Sequence, residues 1–157
     1  MGETTRETTA ELVARWLAER ELTLGTVECG VDGAVSHRVF DAPDGPAVLG
    51  NSLVVEDVEE AIEILQLPRP QFKKAGDLSA KAARAAAREG RAFLGVDLCL
   101  AVWAPPADGW ADPQPVHLAL DTGRRVVART VQVERQGEQA MDWLAVQALE
   151  LIRRTKR

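Results

Sequence analysis

Aromatic side chains are scarce in this chain: three Phe, four Trp and no Tyr make up 4% of its 157 residues. The core must therefore be built mostly from aliphatic side chains and alanine, and the place of each Trp becomes informative. Cysteine and histidine are scarcer still, with two of each. Cys29 and Cys99 stand far apart inside apolar runs. No pair has metal-ligand spacing, which argues against a zinc site, and no metal is expected. Both thiols read as reduced side chains buried in strands. No apolar run approaches the roughly 18 residues of a membrane span. Residues Met1 to Arg6 are polar and lack the apolar centre of a secretory signal. A soluble, cytoplasmic protein with no membrane partner is the expectation. Cations are also in deficit: 19 Lys and Arg against 24 Asp and Glu leave a net charge of −5. Phosphate contacts need clustered cations, so nucleic acid is not an expected partner. The short basic run Arg153, Arg154, Lys156 and Arg157 reads as the complement of a helix C-terminus.

Hydrophobic residues at 46% and charged residues at 27% are ordinary globular values, which argues against a wholly disordered chain. The length fits one domain over residues 1–157, able to bury about two thirds of its unfolded surface. Thr8 and Glu11 have capping-box spacing, and Leu12, Val13, Trp16 and Leu17 recur at helical intervals, predicting a helix over 8–20. A strand is predicted over 22–27, a short helix over 31–40, a turn cluster over 41–46 and a strand over 49–55. Val58, Ala61, Ile62 and Leu65 share one helical face, so 57–65 reads as a helix that ends before Pro68. Ser79 is an N-cap for an Ala-rich helix to Leu94, with Gly95 as its C-terminal stop. The apolar run 96–102 reads as a buried central strand. A Pro-rich loop follows over 104–115, then strands over 116–120 and 125–133 around Asp121-Thr122-Gly123, and a last helix over 138–154. Helices alternating with apolar strands predict an α/β fold, a three-layer αβα sandwich. The final strand pair makes its sheet mixed, mostly parallel.

Ligands of such sheets sit at the carboxyl ends of the strands. The loops at Glu28–Gly33, at Glu56 and Asp57, and from Trp103 to Pro115 leave such ends. Gly30 and Gly33 before a helix resemble an anion-binding turn, but their spacing matches no dinucleotide or phosphate fingerprint, and Asp32 would repel a phosphate. Cys29 is the one candidate nucleophile, since a thiolate near a helix N-terminus is stabilised. Glu28 and Asp32 oppose that thiolate, and only His37 stands near enough in sequence to serve as a base. Glu59, Glu60 and Glu63 read as a solvated helix face.

Several stretches together carry a resemblance. Thr26-Val-Glu-Cys-Gly-Val-Asp-Gly33 is set against T-A-E-S-C-T-G-G, and Asp41-Ala-Pro43 with Ala47-Val48 against D-x-P-G-S-S-A-V. Ile64-Leu-Gln-Leu-Pro68 matches L-L-G-V-P. Gly76, Ser79, Ala83-Arg84 and Leu94 to Val102 form the longest match, and Leu144-Ala-Val-Gln-Ala148 matches the last helix. Over nearly its whole length the chain resembles the CinA C-terminal domain family, whose active members are nicotinamide mononucleotide deamidases. The resemblance implies the CinA C-terminal-like fold, no cofactor, and a homo-oligomer.

The departures fall where that family keeps its chemistry. By resemblance the former substrate pocket comprises Glu28, Cys29, Gly30, Val31, Asp32, Gly33, Asp57, Glu59, Ala61 and Trp103. Cys29 replaces the family serine, and Gly30, Val31 and Asp32 replace C-T-G. The family lysine falls on Ala61, whose methyl group can neither activate a nucleophile nor hold an anion. The T-G-x-A-G-P loop falls on Trp103-Ala-Pro-Pro-Ala107, and P-V-G-T shrinks to Pro115-Val116. Arg135 is displaced from the family arginine. Only Glu28, Gly33 and Glu59 persist. The pattern predicts a retained scaffold with deamidase activity lost, and a binding or interaction role toward an unknown small molecule or protein. An active amidohydrolase using Cys29 is the alternative, and pairing with an active paralogue is a third reading. Of Trp103 and Trp110, at least one is expected to fill or lid the former substrate space.

Overall fold

Which side chains each strand can bury decides the sheet. The computed structural model describes residues 7–155. Helix α1 (Thr9–Glu19) leads to strand β1 (Leu24–Cys29), α2 (Ala34–Asp41), the short α3 (Gly45–Val48) and β2 (Leu49–Val55). Then come α4 (Val58–Leu65), α5 (Ala80–Leu94), β3 (Leu98–Trp103), β4 (Gln114–Asp121), β5 (Val126–Val133) and α6 (Gly137–Thr155). Single 3₁₀ turns occupy Arg69–Phe72 and Ala107–Gly109. Every residue of β1 and β3 is buried, as in strands covered on both faces. Mostly exposed or half-buried residues mark β2, which lies at an edge.

The strands follow the order β2-β1-β3-β4-β5. Pairs β1–β2 and β1–β3 are parallel, while β3–β4 and β4–β5 are antiparallel. Only β4 therefore runs against the other four, and the sheet is mixed. One face packs on α1, α2, α3 and α6 through Leu17, Val39, Leu100, Leu118 and Leu149. The other packs on α4 and α5 through Ile62, Ala83, Ala86, Ala101 and Trp103. Three layers result, as the alternation of elements predicts.

Local chemistry sets the helix ends. Thr8 and Glu11 form a capping box on α1, and the Asp57 side chain accepts from the Glu60 N–H at the start of α4. The Ser79 side chain accepts from the Ala82 N–H at 3.1 Å to open α5. Small residues on α5 let it lie close to the sheet: a methyl group on Gly90 would come within 2.7 Å of Val27 and 2.9 Å of the Cys99 sulfur.

Among the strand boundaries that differ from the sequence reading, two bear on the site. Strand β1 runs through Cys29, because Glu28 and Cys29 pair with Val54 and Val55 on one side and Val102 and Trp103 on the other. Glu28 and Cys29 therefore sit in the sheet rather than in the loop beyond it. Trp103 likewise closes β3 instead of opening the Pro-rich loop, held by Cys29 on β1 and His117 on β4. Among the described residues no helix is long and apolar enough to cross a membrane.

Candidate functional site

The carboxyl ends of β1, β2 and β3 form a cleft floor, and Gly30 joins two of them. It leaves β1 at φ +79°, and a Cβ there would stand 2.3 Å from the Pro105 carbonyl oxygen. Only glycine lets the loops after β1 and β3 touch backbone to backbone.

Glu28 is fully buried, yet its carboxylate is satisfied. It accepts the backbone N–H of Val35 and of Ser36, each at 2.9 Å, and lies 2.9 Å from the Thr26 hydroxyl. The Thr26 oxygen is also 2.8 Å from the Ser52 hydroxyl. One hydroxyl proton cannot serve both neighbours, so Thr26 donates to the carboxylate and accepts from Ser52. Gly33 stands at the N-cap of α2 and has no side chain to offer. Glu28 supplies that cap from the adjacent strand, and its negative charge meets the positive end of the helix.

Cys29 points to the opposite layer, into a buried cluster with Ala61 and Trp103, all three fully buried. Burial, and then the Asp57, Glu28 and Glu60 carboxylates, push its thiol far above the ordinary cysteine range. Cys99 is pushed up to about 12, mainly by burial. His37 lies exposed on α2, in the layer on the other face of the sheet from Cys29, so the two are not brought together. The Trp103 indole N–H donates to the Asp77 carbonyl at 2.6 Å. His117, its partner across β3–β4, bonds the Thr130 hydroxyl through Nδ1 at 2.8 Å and the Leu78 backbone. The segment before α5 is thus pinned over the sheet by Trp103 and His117.

Above that packed layer, two hollows meet along Asp32, Ala107 and Asp108. The first, about 560 Å³, is bordered by Gly30, Asp32, Glu56, Glu60 and Asp108, with no cationic side chain in its lining. The second, about 530 Å³, lies against Trp110, Asp112, Arg135, Glu138 and Met141. The Trp110 indole N–H donates to the Pro105 carbonyl at 2.7 Å, which fixes the ring in that wall. Among the described residues, no group of three or more His, Cys, Asp or Glu side chains converges to hold a metal ion.

Of the residues singled out from the sequence, Gly30 and Asp32 line the cleft. Glu28, Cys29, Val31, Ala61 and Trp103 are sealed beneath or beside it. Gly33 begins α2, Asp57 is turned to cap α4, and Glu59 pairs with Arg69. Glu60 and Asp108 line the first hollow, though the sequence reading leaves both outside the pocket. The signals for them are slight: Glu60 follows the N-cap Asp57 by three residues, and Asp108 lies in the loop that leaves β3.

The fold defines an α/β sandwich with a cleft at the strand carboxyl termini. Comparison with known proteins sharpens this. The CinA C-terminal domain model matches residues 6–156, and the chain belongs to that family. It is 34% identical over 149 residues to a CinA-like protein of Geobacter sulfurreducens, covering 84% of this chain and 35% of the relative. A CinA-like protein of Geobacter metallireducens is 30% identical over 152 residues, covering 94% and 37%. The chain thus spans about a third of the length of these curated relatives. Among solved structures, a competence or damage-inducible protein from Enterobacter asburiae superposes with TM-score 0.80 at 19% identity, covering 94% of this chain and 97% of that one. A competence/damage inducible protein from Agrobacterium tumefaciens gives 0.78 at 17%, covering 99% and 100%. These structural likenesses concern the fold.

Proposed function

We propose that this CinA-like chain has lost amide hydrolysis and keeps a binding role at the carboxyl-end cleft. The observation that carries the reading is the buried Trp103 indole in one cluster with Cys29 and Ala61, the positions that the resemblance gives to nucleophile and lysine. The indole fills space a substrate amide would need, and its N–H is already engaged by Asp77. A buried thiol held far above its ordinary range, with His37 in the layer on the other face of the sheet, is a poor nucleophile near neutral pH. Of the two acids retained at motif positions, Glu28 is consumed as a helix cap and Glu59 is paired with Arg69. Groups that act as a unit leave little activity when several are gone.

What remains open is the first hollow, bordered by four carboxylates and no cation. Its charge disfavours a nucleotide phosphate and suits a neutral or cationic ligand, or a basic segment of a protein partner. The two unpaired, buried cysteines fit a reducing, cytoplasmic setting. The test is to incubate the purified protein with nicotinamide mononucleotide and measure ammonia. Release at the level of the protein-free blank is expected. Robust turnover that Cys29→Ala abolishes would overturn the proposal.

A further inference from the structure

At the other end of the sheet, where β1, β3 and β5 begin, the lining chemistry is reversed. A hollow of about 390 Å³ is faced by Arg20, Arg91, Arg124 and Arg125, with Asp97 as the one carboxylate in its lining. That carboxylate is occupied, accepting the Thr23 N–H at 2.8 Å and lying 3.1 Å from the Thr23 hydroxyl. Two of the arginines have structural reasons to be there. Arg20 caps the C-terminus of α1, donates to the Trp16 carbonyl at 3.3 Å and lies 4.7 Å above the Trp16 ring. Arg91 sits in the last turn of α5 and donates Nε–H to the Asp97 carbonyl at 2.8 Å. Cations at helix C-termini complement the helix dipole.

Arg124 and Arg125 have no such reason. They stand on the turn between β4 and β5 rather than on a helix, and their side chains make no hydrogen bond or ion pair among the described residues. The turn beneath them is held in place. The Asp121 carboxylate accepts the Gly123 N–H at 2.7 Å, and the Thr122 oxygen accepts those of Arg124 and Arg125 at 3.3 and 3.4 Å. A Cβ on Gly123 would lie 2.8 Å from the Arg91 guanidinium, so glycine here lets Arg91 rest against the turn beside the other two. Trp16, Leu22 and Ile152 give the same hollow an apolar wall.

We infer that this hollow is a binding site for an organic oxyanion, a phosphate or carboxylate carried on an apolar or aromatic body. Guanidinium groups pair such oxyanions in bidentate fashion, and the Trp16 side of the hollow takes the body. Its volume falls in the range of small-molecule pockets. The site is independent of the carboxyl-end cleft and of the fate of the amidase chemistry.

The test is calorimetric titration of the full chain at low ionic strength with phenyl phosphate, benzoate, inorganic phosphate and phenol. The proteins are the wild type, the double variant Arg124→Ala/Arg125→Ala, and Asp108→Asn as a control at the opposite end. Asp121 and Thr122 remain in the double variant to hold the exposed turn, and circular dichroism checks its fold. At least one ring-bearing anion is expected to saturate about tenfold more tightly than inorganic phosphate, and the tighter of the two identifies the oxyanion. The double variant should weaken that binding about tenfold or more, and the control should leave it unchanged. The inference is overturned if neither ring-bearing anion saturates, if phenol or inorganic phosphate binds as well, or if the double variant binds like wild type. Binding of duplex DNA without binding of either small anion overturns it equally.

Discussion

The two ends of the sheet carry opposite charge. Asp32, Glu56, Glu60 and Asp108 border the first hollow at the carboxyl ends, while four arginines face the hollow at the amino ends. Part of this polarity belongs to the fold itself. Helices α2, α4, α5 and α6 begin at the carboxyl ends of the strands, and α1 and α5 finish at the amino ends. Carboxylates gather at helix N-termini and cations at C-termini, because the dipoles favour each. Glu28 on α2, Asp57 on α4 and Arg20 on α1 are accounted for in this way. Asp108, Arg124 and Arg125 lie on loops and turns and are not. The comparison teaches that a net charge of −5 describes neither end, and that only part of each end's charge is carried by the helices themselves.

Removing the Glu28 cap should have the largest effect. Glu28→Ala leaves the buried N–H groups of Val35 and Ser36 without their acceptor. A loss of about 2–4 kcal/mol is expected by urea denaturation, with Glu28→Gln recovering part of it through its remaining carbonyl oxygen. Asp32→Asn, at the same end but exposed, should change stability by less than about 0.5 kcal/mol. Asp32 has φ +53°, a conformation that asparagine also tolerates. Equal costs for the two positions would break the distinction between carboxylates that build this end and carboxylates that face its cleft.

A smaller effect is expected from the loop charges. Asp108→Asn and Arg125→Gln each relieve crowding of one sign of charge, at opposite ends. Each should raise the urea midpoint slightly at low salt, by the equivalent of a few tenths of a kcal/mol, and the gain should vanish near 1 M salt. A loss of stability from either would mean that its charge has a structural partner, and would remove it from the functional set.

Most elements were legible because their signals are local. The Thr8–Glu11 box, the Ser79 cap, the Gly95 stop and the alanines of α5 each lie within one helix. The site was less so. Glu28 meets its partners only after the chain reverses through Gly30, Asp32 and Gly33, all at positive φ, and nothing in a linear pattern announces that return. The prolines at 105 and 106 put Trp103 in the loop on sequence alone, yet pairing on both sides carries β3 one residue further and turns the ring into the core. That one-residue difference decides whether the indole lids a cleft or fills the layer below. Resemblance names altered positions along the sequence but does not say which side of the sheet each faces. The arginine hollow left no local trace, since α1, α5 and the β4–β5 turn contribute to it from separate parts of the chain.

The smallest expected effect asks how far the acidity of the carboxyl end extends. His117 is bonded across the sheet to Thr130 and sits beside Trp103 in the pairing of β3 with β4. Burial holds its imidazole below the ordinary 6.5, partly opposed by its hydrogen bond to the Leu78 backbone, and no cleft carboxylate raises it. A histidine with a depressed folded value takes up its proton first in the unfolded chain. Its contribution to stability is complete above about pH 6.5 and is lost as the pH falls from there through the folded value. Between about pH 7.5 and about pH 5.5, wild type should therefore lose slightly more stability than His117→Gln, measured by urea denaturation at each pH. Glutamine keeps a polar group toward Thr130 and Leu78, so the variant isolates the proton from the hydrogen bonds. If the wild type instead gained stability relative to the variant on acidification, the carboxylates of the cleft would be acting through the layer that Trp103 fills. The acidic end would then be a field spread across the sheet rather than a surface confined to its own hollow.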